Sequence, residues 1–201
     1  MPHAFNENLA ENRYFDPYWK VEAAKILPGE YFVSAHGMVL VTVLGSCVAA
    51  CIRDTGKGVG GMNHFMLPDG GSLDRSGVST RYGVYAMEVL INHLIKLGAR
   101  RNRLEAKVFG GGAVLSSLAS SKVGARNAGF VRDYLKAENI PIVAEDLLGS
   151  HPRKLYYFPD SGRALVKKLH QMHNDTLFVR ERVYQDRLSG GDVEGDIELF
   201  V

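Results

Sequence analysis

The stretch TVLGSCVAACIRDTGKGVGGMNHFMLP, Thr42 to Pro68, carries the reading on which the fold turns. Two β-branched or apolar runs, Val48 to Arg53 and Val59 to Met66, flank Thr55-Gly56-Lys57-Gly58, so the stretch reads as an antiparallel hairpin. A four-residue loop Thr55 to Gly58 and a two-residue loop Gly56-Lys57 set the same register, with Asp54 opposite Val59. Cys47 then lies opposite Met66. His64 stands two residues along on the same face, a diagonal neighbour about 7 to 8 Å away at the backbone. A slip of one residue would turn His64 to the other side of the sheet. Ala49 is the residue opposite His64, and its small side chain leaves room for an imidazole.

That pairing has a chemical use. A thiol with an ordinary pKa near ~8.5 becomes a nucleophile when an imidazole takes its proton. Gly45 and Ser46 precede Cys47 at the end of an apolar strand, where the backbone can turn sharply and aim amide N–H groups at a developing oxyanion. Cys51 sits inside VAACI, where any small apolar side chain would serve. The plain alternative is that both cysteines are core residues, because free cysteine is among the most buried residue types. In one strand the two thiols would lie roughly 13 Å apart, beyond disulfide reach, so both are expected to be free.

Outward from the hairpin, Tyr31 to Ala35 and Val39 to Leu44 read as strands before it. Residues 1 to 29 are polar, spotted with aromatics and end in Leu27-Pro28-Gly29, which reads as an arm leading to a folded part that begins near Glu30. Tyr82, Tyr85, Ala86, Val89, Leu90, His93, Leu94 and Leu97 recur at the spacing of one helix face, and Gly98 ends it. Leu104 to Phe109 reads as a strand, Ala125 to Glu138 as a second helix with Phe130, Val131, Tyr134 and Leu135 inward, and Pro141 to Leu147 as a strand. Lys154 to Phe158 and Arg163 to Leu169 flank Pro159-Asp160-Ser161-Gly162, a hairpin turn sequence. Hairpin-linked strands outnumber helices, so the expected class is α+β, with a mixed sheet or a pair of sheets flanked by helices.

The 201 residues, 46% hydrophobic and 23% charged, suffice for one substantial core. A net charge of +2 gives no electrostatic case for nucleic acid. No apolar run approaches the roughly 18 residues of a membrane span, and the amino terminus has neither a basic start nor an apolar stretch, so a cytoplasmic protein without membrane insertion is expected. Arg100, Arg101 and Arg103 follow the helix end, where cations complement its dipole. The last residues, SGGDVEGDIELFV, form an acidic C-terminal extension read as a tail or docking peptide.

Seven blocks in order, LGSCVAACIRD, GGMNHFMLP, RYGVYAMEVLINHLIKLGA, LEAKVFGGGAVL, VGARNAGFVRDYL, IPIVAEDLLGSHPRK and FPDSGRALVKKL, resemble the CheD family, the chemoreceptor glutamine deamidases of bacterial and archaeal chemotaxis. The resemblance spans residues 30 to 170 and implies a domain similar to toxin-type cysteine deamidases of the cytotoxic necrotizing factor kind, a layered β-sandwich flanked by helices. It implies that Cys47 attacks a receptor glutamine carboxamide, that backbone N–H groups near Ser46 and Cys47 hold the oxyanion, and that His64 is the base. A thioester then forms and water releases glutamate. No cofactor or metal is implied. The implied partners are the cytoplasmic helices of methyl-accepting chemoreceptors and the CheC phosphatase; docking alone, without catalysis, is the alternative function. Some members also assign a threonine six positions before the cysteine. Here Val41 holds that position and Thr42 stands five before, a shift that reverses the facing in an extended strand, so Thr42 is a candidate through the resemblance only.

Several other residues have plainer readings. Phe109-Gly110-Gly111-Gly112 lacks the Lys-Ser/Thr ending of a phosphate loop. His151 beside Pro152 reads as a structural loop residue, and His170 with His173 as surface residues lacking a third ligand. Asn127, on the apolar stripe of the second helix, must be hydrogen-bonded, with the FGGG and GSHP loops as expected partners. Asn63 points away from the site by alternation.

Overall fold

In chain order the strands are β1 (Arg13–Asp16), β2 (Val21–Lys25), β3 (Tyr31–Ser34), β4 (Val39–Leu44), β5 (Val48–Asp54), β6 (Val59–Asn63), β7 (Leu104–Gly110), β8 (Ile142–Leu147), β9 (Arg153–Phe158) and β10 (Arg163–Lys168). Among the described residues, two helices, α1 (Val78–Lys96) and α2 (Leu118–Ala137), and a 3-10 turn at Arg101–Arg103 join these strands. The computed structural model describes residues 8–68, 78–114 and 118–169, together with Val179, residues 182–184, Asp186 and Leu188. His170, His173 and the acidic tail lie outside the described residues.

The β5–β6 hairpin takes the register that its turn dictates. Asp54 faces Val59 and Cys51 faces Met62, and an isolated bridge between Val48 and Phe65 continues the same pairing. The strands assemble into two mixed five-stranded sheets, ordered β1-β2-β4-β9-β10 and β3-β6-β5-β7-β8. The chain crosses from the first sheet to the second at Gly45-Ser46-Cys47, between β4 and β5.

Three layers result from how the faces are buried. Leu40 and Leu44 of β4, Leu155 and Tyr157 of β9, and Cys47, Ala49, Cys51, Met62 and Met66 of the hairpin share one apolar cluster between the sheets. On the other side of the second sheet, Val48, Ala50 and Ile52 pack with Met87, Leu90, Ile91 and Leu94 of α1 and Val131 and Leu135 of α2. Strand β5 is therefore covered on both faces, which is why VAACI reads as a continuous apolar run instead of alternating. Helix α1 ends as its glycine predicts: Gly98 adopts φ +93°, and Ala99 N–H reaches back to Leu94 O at 3.0 Å.

Two elements differ from the sequence reading. Residues 13–25 form the β1–β2 hairpin, and β2 pairs in parallel with β4, so the stretch read as an arm is part of the first sheet. Its anchors are small: Ala23 and Ala24 are buried, and Trp19 covers Ala23, Val39 and Val41 on the outer face, which leaves little apolar periodicity to see in the sequence. Helix α2 starts at Leu118, ahead of Ala125, because LASSKVG carries serines and glycine where an apolar stripe would announce a helix. Among the described residues no helix is long and apolar enough to cross a membrane.

Candidate active site

The site is built where the chain passes between sheets. Thr42, near the end of β4, points into the inter-sheet layer with Leu40 and Leu44, while Val39 and Val41 point to the outer face. His64 follows β6 on the same side of the hairpin as Met62 and Met66, and hence as Cys47. All three side chains are buried: Cys47 is 0%, Thr42 1% and His64 2% exposed.

The sequence argument from alternation set Thr42 apart from the site; the structure brings it against His64. Facing cannot be counted across Gly45-Ser46-Cys47, because these residues turn from one sheet to the other and interrupt the period of two. Thr42 Oγ1 donates to Ile26 O at 2.7 Å and lies 2.8 Å from His64 Nδ1. With the hydroxyl hydrogen committed to Ile26, Nδ1 must carry the ring proton and donate it to Oγ1. Nε2 is then a bare lone pair, and it is buried with no hydrogen-bond partner among the described residues. Burial lowers the His64 pKa to about 4, only partly countered by the Ile26 carbonyl, so the ring is neutral near pH 7. It is an acceptor waiting for a proton.

No hydrogen bond joins Nε2 to Cys47 in this state. Cys47 is fully covered, so a carboxamide reaches the sulfur only when its cover parts. One part of that surround is aromatic. Tyr82 of α1 lies near enough to Cys47 for the sulfur, after burial, to push its phenol pKa up. Its hydroxyl bonds that of Tyr184, whose ring packs on Gly29 and on the inter-sheet cluster. Cys51 sits in the same layer, where burial raises its thiol pKa well above the ordinary value.

The turn bearing Cys47 is held by its carbonyls. Gly112 N–H donates to Gly45 O at 2.8 Å and Gly111 N–H to Cys47 O at 2.7 Å. Asn127 Nδ2 donates to Ser46 O at 2.9 Å. The triple glycine at the end of β7 is therefore a cradle for the turn. Gly110, at φ +108°, would place a Cβ 2.2 Å from Cys47 O, so no side chain fits there.

Asn127 does not bond to the FGGG or GSHP loops. Its partners are Ser46 O and the Leu67 N–H, which donates to Oδ1 at 2.9 Å. The GSHP loop is held instead by Arg153 of β9, which donates to Asp146, to Leu148 O and to the carbonyl of the exposed His151. Asn63 faces the helical layer, accepting from Ala50 N–H and donating to Ala86 O, each at 3.0 Å. Sequence reasoning missed that Asn127 touches both the cysteine turn and the histidine segment. The signal was a single buried amide, which says that partners exist and nothing about which. Among the described residues no three of His, Cys, Asp and Glu converge to hold a metal.

The chain resembles a sequence family described as CheD chemotactic sensory transduction, matched over residues 66–168. A protein of Dechloromonas aromatica named probable chemoreceptor glutamine deamidase CheD 1 is 71% identical over the whole of both chains. Proteins named probable chemoreceptor glutamine deamidase CheD from Janthinobacterium sp. and Thiobacillus denitrificans are 61% and 60% identical, again over the whole of both chains.

Proposed function

The chain belongs to the CheD family, and on that premise we propose that it hydrolyses glutamine side-chain amides of chemoreceptors to glutamate, with Cys47 as nucleophile and His64 as base. The observation that carries this reading is the state of His64. Its Nδ1 is anchored to Thr42 and its neutral Nε2 has no hydrogen-bond partner among the described residues, on the face of the hairpin that also bears Cys47.

In the first stage Nε2 takes the thiol proton as sulfur attacks the δ-carbonyl, and backbone N–H groups near Ser46 and Cys47 hold the oxyanion. The imidazolium returns that proton to the departing nitrogen, ammonia leaves, and a thioester remains. In the second stage neutral His64 takes a proton from water, hydroxide adds to the thioester, and the C–S bond breaks to give glutamate and the restored thiol. Thr42 keeps the ring in the tautomer that both stages use. No step requires a metal or organic cofactor.

The reading extends to the receptors' cytoplasmic helices as substrate, to the CheC phosphatase as a docking partner and to the cytoplasm as the place of action. Two sheets with helices on one side also support a fold likeness to toxin-type deamidases. The test is to incubate the chain with a receptor cytoplasmic fragment and follow a gain of about one mass unit per glutamine, the difference between an amide and an acid. Loss of the gain in Cys47→Ala and in His64→Ala is expected. A Cys47→Ala protein that still deamidates would overturn the nucleophile, and a wild-type protein that binds the fragment without a mass change would favour docking alone.

A further inference from the structure

The β5–β6 ladder is interrupted on both sides of the candidate pair. Regular pairing ends at Cys51 with Met62 and resumes for one bridge, Val48 with Phe65, whose two direct hydrogen bonds are each 2.9 Å. In an antiparallel ladder the next hydrogen-bonded pair lies two residues on, which here would be Ser46 with Leu67. That rung is not direct. Leu67 N–H donates to Asn127 Oδ1 and Asn127 Nδ2 donates to Ser46 O, both at 2.9 Å, so a side-chain amide stands between the two backbones. Toward the turn, Ala50 N–H is likewise taken by a side chain, Asn63 Oδ1. Between these substitutions lie Cys47 opposite Met66, the direct Val48–Phe65 bridge, and Ala49 opposite His64.

We infer that Asn127 is a positioning residue: its carboxamide replaces one ladder rung and holds the Cys47 turn and the His64 segment apart at a fixed spacing and in register. A direct rung would close the strands on the space in which sulfur and Nε2 must meet a substrate carbonyl. A missing rung would take from the turn a tie to the His64 segment that the bonds from Gly111 and Gly112 do not supply. Only a side chain with one acceptor and one donor, at amide separation, bridges an N–H to a C=O, and Asn127 is fully buried with both ends used. Arg126, its neighbour on α2, donates to Leu67 O at 3.1 Å and Pro68 O at 2.5 Å, which fixes the far side of the same segment.

This inference rests on the Cys47–His64 reading, and its test separates the two. Asn127→Asp keeps the acceptor for Leu67 but turns an oxygen toward Ser46 O; Asn127→Ser, with a shorter side chain, covers the case in which the carboxylate prevents folding. Val131→Ala, one turn along α2 in the helical layer, is the control for lost stability alone. Deamidation of a receptor fragment is measured where circular dichroism shows each protein folded. In either Asn127 variant kcat should fall about 10- to 100-fold with KM within about twofold, as for a misplaced reacting group. Val131→Ala should keep kcat. Folded Asn127 variants with kcat within about twofold of wild type overturn the inference, as does an equal kcat loss in folded Val131→Ala. If Cys47→Ala remains active, the site itself is misread; if only the Asn127 variants are unaffected, the site stands and this role falls.

Discussion

Replacing Thr42 by valine isolates the contact on which the state of His64 depends. The hydroxyl makes two buried bonds, to Ile26 O at 2.7 Å and to His64 Nδ1 at 2.8 Å. Valine keeps the branch and removes both. One loss is recoverable, because Nδ1 already lies 3.4 Å from Ile26 O and can close toward that carbonyl. The net cost is one hydrogen bond and imperfect satisfaction of another, about 1–2 kcal/mol, which lowers Tm by about 2–8 °C for a chain of this size. The catalytic cost is separate. The ring must move toward Ile26, and the oxygen that would stabilise imidazolium is gone; a displacement of this kind costs about 1.4–2.8 kcal/mol in the transition state, a 10- to 100-fold fall in kcat. The assay is receptor-fragment deamidation by mass, beside a thermal melt, with Thr42→Ser expected to recover most of the rate. A Thr42→Val protein that melts lower but keeps kcat within about twofold would refute the role of Thr42 in holding the ring.

Four further outcomes are expected from the site and the sheets around it. Because the His64 pKa is lowered to about 4, the ring stays unprotonated in the folded protein well below pH 6.5, and the acid limb of kcat/KM contributed by His64 should lie near pH 4; a limb centred at 6.5 would contradict the burial of the ring. Its contribution to stability has a definite sign: above pH 6.5 neither state binds the proton, and between 6.5 and about 4 only the unfolded chain does, so acidification through that window destabilises by up to about 3 kcal/mol, which His64→Gln should abolish in urea titrations. Gly110→Ala places a methyl against Cys47 O at a φ of +108° and should cost at least about 2 kcal/mol and most of the activity, whereas an unchanged melt would remove the triple glycine as the cradle of the turn. Deleting residues 1–25 removes β1 and β2, exposes the edge of β4 and should yield an aggregating or unfolded protein; a truncated chain that melts like the full one would restore the reading of this segment as an arm.

What was legible in the sequence was local or periodic. The turn TGKG and the alternation around it gave the β5–β6 register, and that register put Cys47 and His64 on one face; the helix-period stripe with Gly98 marked α1, and PDSG marked the β9–β10 hairpin. Each depends on neighbours within a few residues, so the chain carries the instruction in place. The partnership of Thr42 with His64 could not be reached by counting, because the period of two breaks where the chain changes sheets. The parallel pairing of β2 with β4, the cradle of Gly111 and Gly112 and the rung supplied by Asn127 join segments distant along the chain. Such contacts exist only once the sheets and helices have packed, since it is burial that forces each backbone N–H and C=O to find a partner and decides which one is within reach.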